Sequence, residues 1–318
     1  MQRENIKVVF MGTPDFAEES LRELYEAGFN IIGVLTNPDK PSGRGMKLKA
    51  SPVKEYALSK NIPVYQPKKV RNNEEILNTL KELATDVIAV VAYGKILPQE
   101  ILDVPKYGSI NVHGSLLPKY RGAAPMQWAI INGEETTGIT TMFMGAGMDT
   151  GDMLLKAETK IEDTDNLETI HDRLKVMGAK LLVETIDRVV DGNIERIPQP
   201  EEGTMAPMIS REMTKIDFNK NGREIFNFVR GLSPFPGTYM ELEDGRKYKV
   251  FALDYIEDDT IDKTVEPGDI YILGKDELSI RCKDGYVRIL TIQPENAKRM
   301  DIKAFLAGNR FNMLDKFI

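Results

Sequence analysis

Between Lys7 and Lys160, short apolar runs alternate with amphipathic helical stretches, and this alternation restricts the chain more than any other feature of its sequence. "KVVFM" runs into Gly12, after which Thr13 is placed to cap a helix whose first position is Pro14, where a missing N–H costs nothing. That helix, "DFAEESLRELYEAG", stops at Gly28. "NIIGVLT", "IPVYQ", "DVIAVVAYG", "SINVH", "TGITTMFM" and "MLLKAETKI" read as further strands, with helices predicted at "VKEYALSKN", "NEEILNTLKELAT" and "APMQWAIING". "DVIAVVAYG" is the most apolar strand and is expected at the centre of the sheet, because a strand covered on both faces needs no polar side. A long amphipathic helix from Asn166 to Val190 ends at Asp191-Gly192. Such alternation predicts an α/β, Rossmann-like domain with a mainly parallel sheet and helices on both faces.

After Gly192 the pattern dissolves into "GNIERIPQPEEGTMAPMISREM", a linker by composition. Beyond it stand one helix, "NGREIFNFVRGL", and short strands separated by turn signals, including two "DG" pairs suited to hairpins. A small C-terminal β-barrel is the economical architecture, since closure removes exposed strand edges. The expected organisation is a first domain over 1–191, a linker over 192–209 and a second domain over 210–318.

Composition limits the chemistry. The chain has one cysteine, Cys282, and two histidines far apart, His113 and His171, so neither an intramolecular disulfide nor a structural zinc cluster is expected, and no metal is predicted. No apolar run reaches membrane-spanning length and "MQRENIKVVFMGTPDF" lacks the uninterrupted hydrophobic region of a signal peptide, so a cytoplasmic location with no membrane partner is expected. A net charge of -7 argues against an all-over nucleic-acid binder but leaves room for a local basic patch.

The turn "FMGTPDF" sits where a dinucleotide fold keeps its phosphates, but it lacks the G-x-G-x-x-G spacing and reads as a tight strand-to-helix turn. The informative stretch is "NVHGSLLPKYRGAAP". Asn111 and His113 alternate with Val112 at a strand end and so share one face, where an open α/β sheet keeps its ligand crevice. "GAGMDTGD" follows the next strand; if "APMQWAIING" is a crossover between neighbouring strands, Asp149 reaches the same edge. An amide, an imidazole and a carboxylate would then converge to orient a carbonyl, steady an oxyanion and move protons. Residue chemistry alone suggests acyl or one-carbon transfer and leaves open that His113 is a structural strand-end histidine. Arg121 either positions substrate or pairs with an internal acid.

The block "INVHGSLLPKYRGAAPMQWAIINGEETTGITTMFMGAGMDTGDML" resembles the signature region of the folate-dependent N-formyltransferases, through Asn-x-His-x-Ser-Leu-Leu-Pro and the downstream Asp-Thr-Gly-Asp. "FMGTPDFAEESL", "LTNPDKPSGRGMKLKASPVKEYA", "VVAYGKILPQEIL" and "VRGLSPFPGTY" extend the resemblance over nearly the whole chain, to the branch of that family that acts on charged tRNA. It implies transfer of the formyl group of 10-formyltetrahydrofolate to the α-amine of methionine on initiator methionyl-tRNA, with a C-terminal barrel of OB type helping to hold the tRNA. The alternative acceptor is a sugar-nucleotide amine or another small amine. A folate- or tRNA-binding module without catalysis and a formate-releasing hydrolase are weaker readings.

By the same resemblance, Asn111, His113 and Asp149 match the family's catalytic triad. The folate site is implied along Ala92, Tyr93, Gly94, Ile96 and Leu97, along Ser115, Leu116, Leu117 and Pro118, and at Gly147. Lys40, Arg44, Lys47 and Lys49 lie in a Gly- and Pro-rich, mobile loop implied to enter the tRNA acceptor stem, with Arg44 matching the critical arginine. Nothing in the sequence demands more than a monomer. The chain departs from the family pattern at Gly145, where many relatives carry aspartate, and at Met208, usually lysine.

Overall fold

The computed structural model describes residues 2–42, 47–145, 147–258, 265–271, 276–308, 311 and 315–318. Its contacts divide the chain into two units, one of Met1–Gly122, Thr137–Thr159 and His171–Met205, the other of Ala123–Thr136, Lys160–Ile170 and Ala206–Ile318.

In chain order the first elements are β1 (Lys7–Gly12), α1 (Asp15–Glu26), β2 (Asn30–Leu35), β3 (Lys40–Ser42), β4 (Lys47–Lys49), α2 (Pro52–Ser59) and β5 (Val64–Tyr65). There follow α3 (Glu74–Glu82), β6 (Val87–Val91), α4 (Gln99–Leu102), β7 (Ser109–His113), α5 (Pro125–Ile131), β8 (Thr136–Phe143), β9 (Met153–Lys160) and α6 (Leu167–Val190). A seven-stranded sheet runs β5-β2-β1-β6-β7-β8-β9, so the most apolar strand is its middle one and all of Val87–Val91 are buried. Strands β5, β2, β1, β6 and β7 are mutually parallel. Strand β8 runs antiparallel to β7, pairing Ile110 with Phe143 and His113 with Thr140. One face of the sheet buries Val9, Met11, Ile88 and Val90 with Leu80, Tyr93, Leu97 and Ile101 from the covering segments. Each such side chain contributes about 1.5–3 kcal/mol when fully removed from water.

Two local expectations are corrected. Helix α1 starts one residue late, at Asp15 behind Pro14, and the Thr13 hydroxyl does not cap it. The hydroxyl instead accepts from the Asn37 side-chain amide at 3.0 Å, a tertiary bond that competes successfully with the local cap. The basic loop contains a β3–β4 hairpin in which Lys40 pairs with Lys49 and Ser42 with Lys47, because an extended pair satisfies backbone groups that a free loop would leave to water.

In the second unit α5 packs with α7 (Gly222–Gly231), whose Glu224 accepts from the Asn221 backbone N–H at 3.1 Å as part of a capping box. Strands β10 (Thr238–Glu241), β11 (Lys247–Glu257), β12 (Ile270–Tyr271), β13 (Leu278–Cys282), β14 (Gly285–Pro294) and β15 (Met300–Asp301) precede α8 (Ile302–Gly308). They form an antiparallel sheet ordered β10-β11-β14-β13-β12, with β15 also paired to β14. The β11–β14 register shifts around Ala252, and such irregularities bend and twist the strand, curling the sheet around Ile225, Val229, Met240, Val250, Ile289 and Phe305. Both "DG" pairs fall at hairpins, between β10 and β11 and between β13 and β14. The buried Cys282 thiol is pushed up to about 11, mainly by desolvation.

Two measurements check this packing. Ile88→Ala, which opens a cavity in the central strand, is expected to cost about 2–5 kcal/mol in urea unfolding, against about 0.5–1.5 for Ile88→Val. Native Cys282, almost wholly a thiol at pH 8, should resist alkylation there and react once the chain is unfolded.

Candidate functional site

The chain leaves β1 towards β2 on one side and later fills β6 on the other, so the strand order reverses between β1 and β6. Ligand crevices of open α/β sheets form beyond the carboxyl ends of strands at such a reversal. Register places Gly12 beside Val91 and Val91 beside Val112, so Thr13, Ala92 and His113 emerge at one sheet edge. Asn37, just beyond β2, ties this edge together by donating to Thr13 Oγ1 at 3.0 Å and to the Tyr93 carbonyl at 2.9 Å. Ala92 turns the chain with φ +44°, a left-handed conformation that costs a residue with a Cβ about 1–3 kcal/mol. Exposure then alternates: Ala92, Gly94 and Ile96 are open to solvent, while Tyr93 and Leu97 point into the core. Burial raises the Tyr93 phenol to about 12. Of the residues expected to line the folate site here, Ala92, Gly94 and Ile96 are accessible, and Tyr93 and Leu97 support the wall from behind.

His113 is 5% exposed at the end of β7. Its Nε2 lies 2.8 Å from the Tyr120 carbonyl oxygen, which can only accept, so Nε2–H is the donor. That leaves Nδ1 facing Asp149, with Oδ2 at 3.7 Å. The Gly122 backbone N–H donates to the same Oδ2 at 2.9 Å, which fixes the carboxylate. Asn111, two residues before His113 on the same strand face, is partly exposed, and among the described residues no hydrogen bond occupies its side-chain amide. Amide, imidazole and carboxylate therefore belong to one edge, as the residue pattern predicts.

They meet by a different route from the one the strand pattern suggests. Because β8 is antiparallel to β7, its last residues lie beside Ile110, at the far end from His113. Three residues of strand separate the two places, about 10 Å at ~3.4 Å per residue. The loop after β8 doubles back to bring Asp149 to His113, and Asp149 takes φ +53° to do so. The expected crossover between strand ends is thus replaced by a returning loop.

The "SLLP" turn is held from beneath. Thr140 on β8 donates its hydroxyl to the Ser115 carbonyl at 2.7 Å and accepts from the Leu117 N–H at 3.1 Å. Ser115 is buried and donates to the Lys119 carbonyl at 2.7 Å; Leu117 is fully buried. Only Leu116 and Pro118 of this quartet are partly exposed, whereas Gly147 is exposed. Of the alternatives expected for Arg121, a pairing with an internal acid is not seen among the described residues: buried, it donates to the Gln199 side chain at 3.0 Å and to the carbonyls of Pro200 and Glu201. Tyr120, Gly122, Thr140 and Gln199 escape sequence reasoning, since they act largely through backbone groups or from distant positions that no local spacing marks.

Of the basic residues, Arg44 lies outside the described residues. Lys40 and Lys49 are exposed and face each other across β3–β4, and among the described residues neither has a carboxylate within ion-pair distance. The register therefore sets two cationic residues directly opposite each other on this strand pair. Lys95 is held below the usual lysine range by burial first and by the charge of Lys40 second.

The formyl transferase family model matches residues 5–186 and that of the formyl transferase C-terminal domain matches residues 208–310. The chain belongs to the formyl transferase family. Within it, the chain is 50% identical to a methionyl-tRNA formyltransferase of Caldanaerobacter subterraneus, over 96% of this chain and 97% of that one. It is 47% identical to a methionyl-tRNA formyltransferase of Acetivibrio thermocellus, again over 96% and 97% of the two chains. Among solved structures, the sugar 3N-formyl transferase WlaRD, crystallised with dTDP and 5-N-formyl-THF, superposes with a TM-score of 0.66 at 20% identity, over 92% of this chain and 99% of that one. That likeness is one of fold.

The returning loop yields a stability test. A Cβ on Gly151 would lie 1.8 Å from the Phe143 carbonyl oxygen, whereas one on Gly145 meets nothing within 4 Å. Gly151→Ala is expected to cost about 1–3 kcal/mol or more by overpacking. Gly145→Ala should stay within about 0.5 kcal/mol in the same urea titration, because the added Cβ would enter open space.

Proposed function

We propose that this chain transfers the formyl group of 10-formyltetrahydrofolate to the α-amine of methionine carried by initiator methionyl-tRNA. The observation that carries this reading is the edge where Nδ1 of a buried, oriented His113 faces Asp149 beside the uncommitted amide of Asn111. Exposed Ala92, Gly94 and Ile96 and the partly exposed Leu116 and Pro118 offer a surface for the folate, with Gly147 on the covering loop. Folate supplies the activated formyl group. Formation of the new C–N bond to the methionine nitrogen breaks the old bond to the folate nitrogen, and one proton passes from the attacking amine to the departing nitrogen.

The residues divide this work. The Asn111 amide donates to the formyl oxygen as negative charge grows there, and a donor aimed in advance contributes about 3–4 kcal/mol to the barrier. His113 Nδ1 handles the proton, while Nε2–H stays with the Tyr120 carbonyl and keeps the ring in place. Asp149 steadies the imidazole while it carries the extra proton. No covalent bond to the protein is needed.

The tRNA reading rests on the named relatives, on the length over which they match, and on the paired Lys40 and Lys49. Lys40, Arg44, Lys47 and Lys49 form the basic segment assigned to the acceptor end, binding phosphates that position the substrate. The functional modules are a catalytic domain over 1–191 and a tRNA-holding domain over 210–318, working as a monomer in the cytoplasm, with the expected linker over 192–209 grouped up to Met205 with the first unit.

The test is formyl transfer from 10-formyltetrahydrofolate to charged initiator tRNA, with charged elongator tRNA and a sugar-nucleotide amine alongside. Initiator-selective transfer is expected, with His113→Ala slower by about 10²–10⁴-fold. The double substitution Lys40→Ala with Lys49→Ala should weaken tRNA binding and flatten the slope of log affinity against log salt by about one for each phosphate no longer neutralised. Formylation of the sugar amine with charged tRNA ignored would overturn the acceptor and leave the chemistry standing.

A further inference from the structure

Part of the segment expected to be a plain linker lies along the first unit and reaches the site. Ile197 and Met153 exchange backbone hydrogen bonds at 2.9 Å in both directions. Further on, the Thr204 carbonyl accepts from the Arg121 N–H and the Thr204 hydroxyl from the Tyr120 N–H, both at 2.8 Å. Between these two anchors stands Gln199. Its Nε2 donates to the Asp149 carbonyl at 2.9 Å and to the Gly151 carbonyl at 2.8 Å, while its Oε1 accepts from Arg121 Nε–H at 3.0 Å. The amide orientation is forced, because the two carbonyls can only accept and the guanidinium can only donate.

One carboxamide therefore grips both halves of the catalytic edge. On one side it holds the backbone of the loop that carries Asp149 in a left-handed conformation. On the other it holds Arg121, which sits between the Tyr120 carbonyl that orients His113 and the Gly122 N–H that binds the Asp149 carboxylate. A strained, doubled-back loop stays in place only if its surroundings over-determine it. No other side chain type supplies two donors and an acceptor at this reach: glutamate lacks the donors, lysine lacks the acceptor and asparagine is a methylene shorter. We infer that Gln199 is a positioning residue for formyl transfer, acting on the reaction through Asp149 and His113 without touching substrate. The inference rests on the catalytic roles proposed above.

Gln199→Met keeps the volume and removes the hydrogen bonds to Asp149, Gly151 and Arg121, and Gln199→Glu keeps the link to Arg121 while turning both carbonyl donations into oxygen–oxygen repulsion. With charged initiator tRNA and 10-formyltetrahydrofolate, each is expected to lower kcat about 10²-fold, the cost of a misplaced catalytic group, with KM for both substrates within about twofold. In a His113→Ala background, where both arms of the Gln199 network have lost their common target, Gln199→Met should lower kcat further by no more than about threefold, because residues acting as a unit are not additive. An undiminished kcat in a folded variant, a loss confined to KM, or the full loss repeated in the His113→Ala background would overturn the role of Gln199. If Gln199→Met fails to fold, Gln199→Glu decides by the same criteria. A wild type that formylates no charged tRNA would overturn the reaction itself, a separate result from a wild type and Gln199→Met that work equally fast.

Discussion

Strand β6 pairs with β1 on one side and with β7 on the other, and everything functional in the first unit depends on those two registers. Parallel ladders give neighbouring strands a common direction, so Thr13, Ala92 and His113 leave the sheet at one edge. The crevice at that edge exists because the chain fills the sheet outward from β1 in one direction before returning on the other side. A slip of one residue in β7 would turn Asn111 and His113 to the opposite face and leave the carboxylate of Asp149 without its partner.

On that rigid edge the site is assembled from parts that are individually unfavourable. Ala92, Tyr120 and Asp149 all take left-handed backbone conformations, and each carries a group of the site or stands next to one. Hydrogen bonds from Asn37 to the Tyr93 carbonyl, from the Tyr120 N–H to the Thr204 hydroxyl, and from Gly122 and Gln199 to Asp149 hold them there. The basic strand pair places Lys40 opposite Lys49, with no carboxylate within ion-pair distance of either among the described residues. Backbone strain concentrates at this sheet edge, while the core behind, around Ile88, Tyr93 and Leu97, obeys the ordinary rules of burial.

Legibility in the sequence follows the range of the interaction responsible. The central place of "DVIAVVAYG" is readable because burial on both faces removes every polar side chain from a strand, and the shared face of Asn111 and His113 is readable because strand periodicity is local. Thr13 reads wrongly as a helix cap, since a cap is the best local use of a hydroxyl and nothing nearby announces Asn37. The antiparallel turn of β8 is invisible for a similar reason: strand direction depends on how a long connection closes, and composition does not record it. Gln199 is lost inside a stretch rich in proline, glutamate and glycine that looks like linker.

By itself the sequence determined the alternation of strands and helices, the polar residues at the end of β7, the basic character of residues 40–49 and, through a long motif, the chemistry of formyl transfer, because all of these are written in residue types and short spacings. Only the tertiary structure decided that Nε2–H of His113 is committed to the Tyr120 carbonyl, that Asp149 arrives on a loop folded back from the wrong end of β8, and that an amide 50 positions further along the chain holds that loop. In each of those three cases one partner is a backbone group, which every residue carries alike, and so no short side-chain spacing marks it in the sequence.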